Sequence, residues 1–266
     1  MSSRKIIIIS ATSDIATALC EKWVREDYEI YGTYKTKDEN YQKLTEWGVQ
    51  LVFCDMAQDA SVKKACESLM KICGPWDMVL FGTGTLAPVG AFTEVDIDAW
   101  VESIRINFVN LMVATYTLLP GRRRPSSSII YFAGGGTNNA VLNYSAYTVS
   151  KIALIKMCEL LDAEIDDVKF AIIGPGWVKT KAHDVTLKAG ESRAGQAYSK
   201  TMTKLSNNEC TPMTEVIRSI EWVLSQPKEA VGGRNFSTVY DHFDEDLVRR
   251  LLKESDLYKL RRHGNG

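Results

Sequence analysis

The chain has 266 residues, 32 Lys+Arg against 33 Asp+Glu for a formal charge of −1, and 45% hydrophobic residues. That length suits one α/β domain with a substantial core, and the balanced charge argues against nucleic acid or an anionic membrane as the main partner. Cys20, Cys54, Cys66, Cys73, Cys158 and Cys210 form no Cys-x-x-Cys pair, and His183, His242 and His263 stand far apart. This pattern argues against a disulfide framework or a metal site and points to a reducing, cytoplasmic setting.

In chain order, the apolar run Ile6–Ile9 is too short for a signal peptide or a membrane span and reads as a buried strand, Lys5–Ser10. Helix Asp14–Arg25 follows, then strand Ile30–Tyr34 and helix Glu39–Trp47, strand Gln50–Cys54 and helix Ala60–Ile72. Strand Met78–Gly82 precedes a long helix, Asp96–Leu119, and strand Ser128–Ala133 precedes helix Ser145–Ile165. Strand Lys169–Ile173, helix Thr214–Leu224 and strand Asn235–Val239 complete the series. Strands that are apolar throughout and separated by amphipathic helices predict a parallel sheet covered on both faces. Right-handed crossovers then give a doubly wound, Rossmann-type α/β three-layer sandwich of seven strands, with ligands beyond the strands' carboxyl ends. Pro175–Thr211 is polar with little apolar period and reads as a lid loop over 175–211 with room for a short helix. His242–Gly266 is a charged tail with Leu247, Leu251, Leu252 and Leu257 at near-helical spacing. One domain over 1–240 and a C-terminal extension over 241–266 are expected.

The run Tyr147-Thr-Val-Ser-Lys151 opens a predicted helix just after an apolar strand. Four residues apart, the phenol and the ammonium share one helical face. A nearby cation favours phenolate, so a tyrosine that titrates near about 10 in isolation can approach working pH and exchange a proton with substrate.

With other residues, this pair resembles the short-chain dehydrogenase/reductase family across roughly residues 4 to 240. Tyr147 and Lys151 match its Tyr-x-x-x-Lys. Asn107, in Arg-Ile-Asn-Phe-Val-Asn-Leu, matches its asparagine before the fifth strand. Asp55, in Phe-Cys-Asp-Met, matches the acid ending the third strand, and Pro175-Gly176-Trp-Val-Lys-Thr180 the segment after the sixth. The resemblance implies an NAD(P)-dependent oxidoreductase transferring a hydride between nicotinamide C4 and a carbonyl or secondary alcohol, with Tyr147 handling the proton. It implies that Lys151 binds the nicotinamide ribose and lowers the Tyr147 pKa, and that Asn107 supports a water chain behind Lys151. It sets Ser10, Thr12, Ser13, Asp14 and Ile15 against the pyrophosphate, where a helix N-terminus offers free N–H groups. Asp55 and the Met56 backbone are implied at adenine, Gly82, Thr83 and Gly84 beside the adenosine ribose, and Pro175, Gly176, Val178 and Thr180 around the nicotinamide amide and a phosphate. Without the resemblance, Asp55 also reads as a helix cap, Thr180 as a turn former and Asn107 as a satisfied polar group.

Three departures fall on the site. The family's turn Thr-Gly-x-x-x-Gly-x-Gly has Ser10, Asp14 and Ala16 in its glycine positions. Ser10 and Ala16 are small but do not relieve positive-φ strain as glycine does, while Asp14 can cap the helix but is unwelcome if its charge points at the pyrophosphate. The catalytic serine expected thirteen residues before the tyrosine is Gly134, in Phe132-Ala-Gly-Gly-Gly-Thr137. Losing such a donor costs about 10²–10³ in rate. Thr137 or Asn138 is the expected replacement; backbone N–H groups of the glycine run, or no donor at all, are the alternatives. Third, the family's Asn-Ala-Gly after the fourth strand reads Gly82-Thr83-Gly84.

Cofactor choice rests on the end of the second strand, Gly32-Thr-Tyr34-Lys35-Thr-Lys37, which carries no carboxylate there. Lys35 suits a 2′-phosphate and Tyr34 an adenine stack, so NADP is favoured and NAD admitted. Lys179, Lys181, Lys188, Arg193, Lys200 and Lys204 outnumber Asp184, Glu191 and Glu209 in the lid. That excess suggests an anionic substrate such as a phosphorylated or nucleotide-linked sugar, against the simpler reading of a solvated basic face. The tail Asp256–Arg262 looks similar to tails on family members of bacterial surface-polysaccharide pathways. The competing class is a catalytically impaired dinucleotide-binding or regulatory protein on the same fold. Apolar residues around much of Asp96–Leu119 and Ser145–Ile165 lead us to expect a homo-oligomer, a dimer or a tetramer.

Overall fold

The computed structural model describes residues 4–262; His263 and the end of the expected tail lie outside the described residues. Seven parallel strands, β1 (Lys5–Ile9), β2 (Glu29–Tyr34), β3 (Gln50–Phe53), β4 (Met78–Phe81), β5 (Ser127–Phe132), β6 (Val168–Gly174) and β7 (Asn235–Ser237), form one sheet in the order β3-β2-β1-β4-β5-β6-β7. The order reverses between β1 and β4, which opens the ligand crevice at their carboxyl ends. The helices are α1 (Asp14–Val24), α2 (Glu39–Glu46), α3 (Asp59–Cys73), α4 (Ile97–Ile104), α5 (Asn110–Leu118), α6 (Ser145–Glu164), α7 (His183–Ala194), α8 (Gln196–Asn207), α9 (Met213–Ser225), α10 (Lys228–Val231) and α11 (Glu245–Lys253).

Strand residues alternate between two cores, as a period of two requires. Ile7, Ile9, Phe81, Ile129, Tyr131 and Ile172 pack with Leu69, Leu111 and Leu154 of α3, α5 and α6 on one face. Ile6, Ile8, Leu80, Ile130 and Ile173 pack with Leu19, Val216, Ile220 and Leu251 of α1, α9 and α11 on the other.

Two expectations change. The single helix expected over Asp96–Leu119 is α4 and α5 joined by a π-helical turn, Arg105–Val109, and that turn carries Asn107. π-turns of this kind concentrate at functional sites. The lid is two helices rather than a loop, with Gly190 (φ 73°) interrupting α7 and Gly195 (φ 55°) joining it to α8. Its apolar side chains, Val185, Ala189, Ala194, Ala197 and Tyr198, are small or isolated, so no amphipathic period shows in sequence; Leu86, Val89, Val141 and Tyr144 of distant segments complete the cluster. In the tail, α11 buries Leu247 and Leu251, and the Arg234 guanidinium donates to the Leu251 and Glu254 carbonyls at its end.

Candidate active site

The first turn lies between the ends of β1 and β4. Ser10 takes φ 60°, the left-handed conformation for which glycine is usual. Two bonds hold it there: its N–H donates to Thr33 Oγ1 at 2.7 Å, and its hydroxyl lies 2.8 Å from that of Thr83. Gly82 makes the complementary adjustment. A β-carbon there would stand 2.5 Å from Ser13 Oγ and 3.1 Å from Ala16 Cβ. The side chains gained at positions 10 and 16 are thus accommodated by the hydroxyl at 83 and the hydrogen at 82.

Ser13, the N-cap of α1, has a buried hydroxyl with no partner among the described residues. The first turn of α1 leaves N–H groups open beside it. This orphan donor and the cradle kept by Gly82 fit a dinucleotide pyrophosphate. Asp14 does not cap the helix; its carboxylate accepts from Asn40 Nδ2 (3.1 Å) and the Lys181 N–H (2.7 Å). Of the other residues expected at the nucleotide, the Tyr34 ring packs against Tyr41 and Phe53 with centroids at 4.6 and 5.9 Å. Lys35 Nζ is 2.9 Å from Asp55 Oδ1. Burial would raise the Asp55 carboxyl, but the Ala57 N–H and Lys35 outweigh it and hold it below the usual carboxylate range. The Met56 carbonyl accepts from Asn110 Nδ2 at 2.8 Å.

The catalytic candidates converge behind β4 and β5. Asn107 is fully buried and clamps the Thr85 backbone from both sides, accepting from its N–H and donating to its carbonyl at 2.9 Å each. A β-carbon at Gly84 would lie 3.7 Å from Asn107 Oδ1 and 3.8 Å from Lys151 Nζ, so both side chains reach the same point. The Lys151 ammonium donates to the Phe132 carbonyl at 2.9 Å and sits 5.7 Å from the centre of the Tyr147 ring.

Gly134, at the missing serine, decides where the phenol sits. An ideal β-carbon on it would fall 2.5 Å from Tyr147 Oη and 2.7 Å from Cε1 and Cζ. The tyrosine ring therefore occupies the space that a serine side chain would fill. Lys151 is buried and Tyr147 half-buried, and the loss of water around them sets the titration of the pair. It pushes the Tyr147 phenol up to about 12 and the Lys151 ammonium down to about 8, so desolvation outweighs the acidification of Tyr147 expected from its neighbour.

Thr137 and Asn138 line the same cleft as Tyr147, a cavity of about 1340 Å³ that runs beneath the lid. On its far side Gly176 (φ 76°) lets the chain pass where a β-carbon would meet Thr211 and Val239 at 2.4 Å, and Val178 is buried. The Val178 and Thr180 carbonyls face His183, whose Nε2 is 2.9 Å from the first and whose N–H donates to the second at 3.2 Å. Sequence reading missed three neighbours here: Trp177, stacked on His183 with centroids at 3.8 Å; Tyr144, bonded to Thr186 of the lid at 2.9 Å; and Lys181, paired with Asp14 and Asp38. Of the six lid cations, Lys204 alone lines the cleft.

Known proteins share the fold of this chain. The family model described as short chain dehydrogenase matches residues 4–189. An uncharacterized oxidoreductase of Saccharomyces cerevisiae is 24% identical over 157 residues, which are 58% of this chain and 62% of that one, so the chain spans less than two thirds of that relative's length. Serine 3-dehydrogenase of Rhizobium radiobacter is 22% identical over 85% of this chain and 90% of its own. Among solved structures, the KRED1-Pglu enzyme superposes with a TM-score of 0.79 at 22% identity, over 88% of this chain and all of that one. An actinorhodin polyketide ketoreductase variant with NADPH gives 0.75 at 18%, over 88% of this chain and 95% of that one.

Proposed function

This chain belongs to the short chain dehydrogenase family of NAD(P)-dependent oxidoreductases, and on that premise we propose that it reduces a carbonyl compound, with Tyr147 as the proton donor. The observation that carries this reading is that Tyr147 lines the cleft while the buried Lys151 lies 5.7 Å from its ring and reaches the same point beside Gly84 as the buried Asn107. A bound nicotinamide supplies the hydride. Lys151 holds the nicotinamide ribose, and Asn107 keeps the Thr85 backbone and the space behind Lys151 in place. A phenol raised to about 12 is fully protonated at neutral pH, which suits donation to a forming alkoxide better than abstraction from an alcohol.

Ser10, Thr12, Ser13, Asp14 and Ile15 hold the pyrophosphate, Gly82, Thr83 and Gly84 the adenosine ribose, and Pro175, Gly176, Val178 and Thr180 the nicotinamide side. Tyr34, Lys35, Asp55 and Met56 would receive the adenosine end, with NADP preferred because Lys35 would supply the charge for a 2′-phosphate. The carbonyl oxygen is oriented by Tyr147 with Thr137 or Asn138. Apolar surface predominates in the cleft, with hydroxyls and amides of Thr137, Asn138, Asn139 and Thr148 set into it and Lys204 as the one lid cation that lines it; on the likeness of the tail, the substrate is a sugar or other polar anionic compound of surface-polysaccharide synthesis. Six free cysteines suit a cytoplasmic setting, and no described helix is long and apolar enough to cross a membrane. Exposed Val101, Val109, Tyr116, Val149 and Leu160 on α4–α6 and their junction suit an interface between copies of this chain.

The test mixes protein with NADPH and with NADH, follows nucleotide fluorescence, and then assays a carbonyl panel with wild type and Tyr147→Phe. Turnover with NADPH that falls about 10²–10⁴-fold in Tyr147→Phe is expected; turnover indifferent to that change refutes the assignment of the acid. Lys35→Asp should weaken NADPH against NADH. Binding without turnover on any carbonyl selects the regulatory reading, which the absent serine at 134 favours.

A further inference from the structure

Lys181 is the first residue after the Pro175–Thr180 segment and one of the six lid cations. The structure gives it two hydrogen bonds and one longer ion-pair contact to the dinucleotide half of the molecule. Its backbone N–H donates to Asp14 Oδ2 at 2.7 Å, 167 positions away. Its ammonium donates to Asp38 Oδ2 at 2.7 Å and lies 3.7 Å from Asp14 Oδ1. Both acceptors are fixed from behind: Asp38 caps α2 by accepting the Tyr41 N–H, and Asn40, almost wholly buried, ties Asp14 Oδ1 to the Thr12 carbonyl through one amide nitrogen. Burial would raise the Asp38 carboxyl, yet Lys181 and the Tyr41 N–H hold it below its ordinary range.

We propose that Lys181 is a positioning residue: it clips the Val178–Thr180 segment, and the lid that follows, to the first turn of α1 through Asp14 and to the cap of α2 through Asp38. The inference rests on the dinucleotide reading above and adds two consequences to it. First, Asp14 stands at the N-terminus of α1, where an uncompensated carboxylate would repel a pyrophosphate; the clip turns both of its oxygens toward donors and sets a cation beside it. Second, the segment facing the nicotinamide is held at its far end by a backbone bond, so the lid's position over the crevice is coupled to the cofactor turn. The two carboxylates are only partly exposed and the lysine is about half exposed (54%), so the ion pairs are screened by salt while the charge-assisted N–H bond is less so.

The test uses the full chain with Lys181→Ala, Lys181→Arg and Asp14→Ala, and Lys188→Ala as an exposed lid control. Hydrogen exchange without nucleotide should show faster exchange of the Val178–Lys181 amides in Lys181→Ala and Asp14→Ala, with Lys188→Ala unchanged and Lys181→Arg restored. Raising salt from about 0.02 to 0.5 M should shift wild type part of the way toward Lys181→Ala. NADPH should dissociate about ten-fold faster from Lys181→Ala in stopped-flow fluorescence, with KM for the nucleotide rising more than kcat falls. Wild-type exchange and dissociation rates in Lys181→Ala overturn the clip. If wild type binds neither NADPH nor NADH, the oxidoreductase reading falls, and the exchange comparison still decides the clip.

Discussion

The two halves of the crevice have answered their departures from the family pattern in opposite ways. On the dinucleotide side each change meets a complementary one: the hydroxyl of Ser10 bonds Thr83, and Ala16 and Ser13 fit because position 82 is glycine. The backbone path survives because the losses and gains lie within one contact of each other. On the substrate side the position of the missing serine is Gly134, and the phenol and ring of Tyr147 occupy the space its β-carbon would take. The first half accommodates its added side chains by local exchange; the second leaves the missing hydroxyl's space to the group proposed to react.

The comparison predicts that Lys151 on the substrate side trades stability against function, while breaking the Ser10–Thr83 contact on the dinucleotide side shows first as lost stability. The largest effect is expected for Lys151→Met. Burial takes the Lys151 ammonium from 10.5 to about 8 in the folded chain, so below pH 8 the unfolded state binds that proton more tightly and the buried charge opposes folding. The penalty is full below pH 8 and fades as pH rises toward 10.5. Removing it should stabilise the protein by up to about 3 kcal/mol at pH 7 and abolish turnover. Urea melts at pH 7 and pH 10 check this; an equal difference at both values would contradict the burial argument.

Next is Gly134→Ser, which restores the family's residue. Its β-carbon would overlap the phenol, so turnover should fall about 10²-fold rather than rise, with the Tyr147 ring displaced. Steady-state rates with Gly134→Ser and Gly134→Ala decide the point, because a gain of activity in the serine variant would mean the ring yields freely and the contrast between the halves is false. The smallest effect belongs to Thr83→Val. It leaves the Ser10 hydroxyl without its partner in a left-handed residue and should cost about 1 kcal/mol in a thermal or urea melt. Ser10→Gly gives up the same bond but relieves the backbone, and should lie near wild type. A Thr83→Val variant as stable as wild type would remove the compensation claimed for that side.

Much of this was legible in the chain. The order of apolar runs gave the parallel sheet, and the spacing of Tyr147 and Lys151 gave their shared face, because both depend on residues within a few positions of each other. The lid helices were hidden, since their few apolar side chains are completed by Leu86, Val89, Val141 and Tyr144 from other segments. Lys181 gave no signal for the same reason: its partners are 143 and 167 positions away.

Sequence by itself therefore determined the strands, the sheet, most of the helices that cover it and which residues stand at the carboxyl ends of its strands, through local periodicity and spacing. Tertiary structure alone decided which way Asp14 points, where the Tyr147 phenol rests and which cation fastens the lid. Those outcomes depend on side chains from separate crossovers meeting across the crevice, and no local pattern encodes a distance between strands.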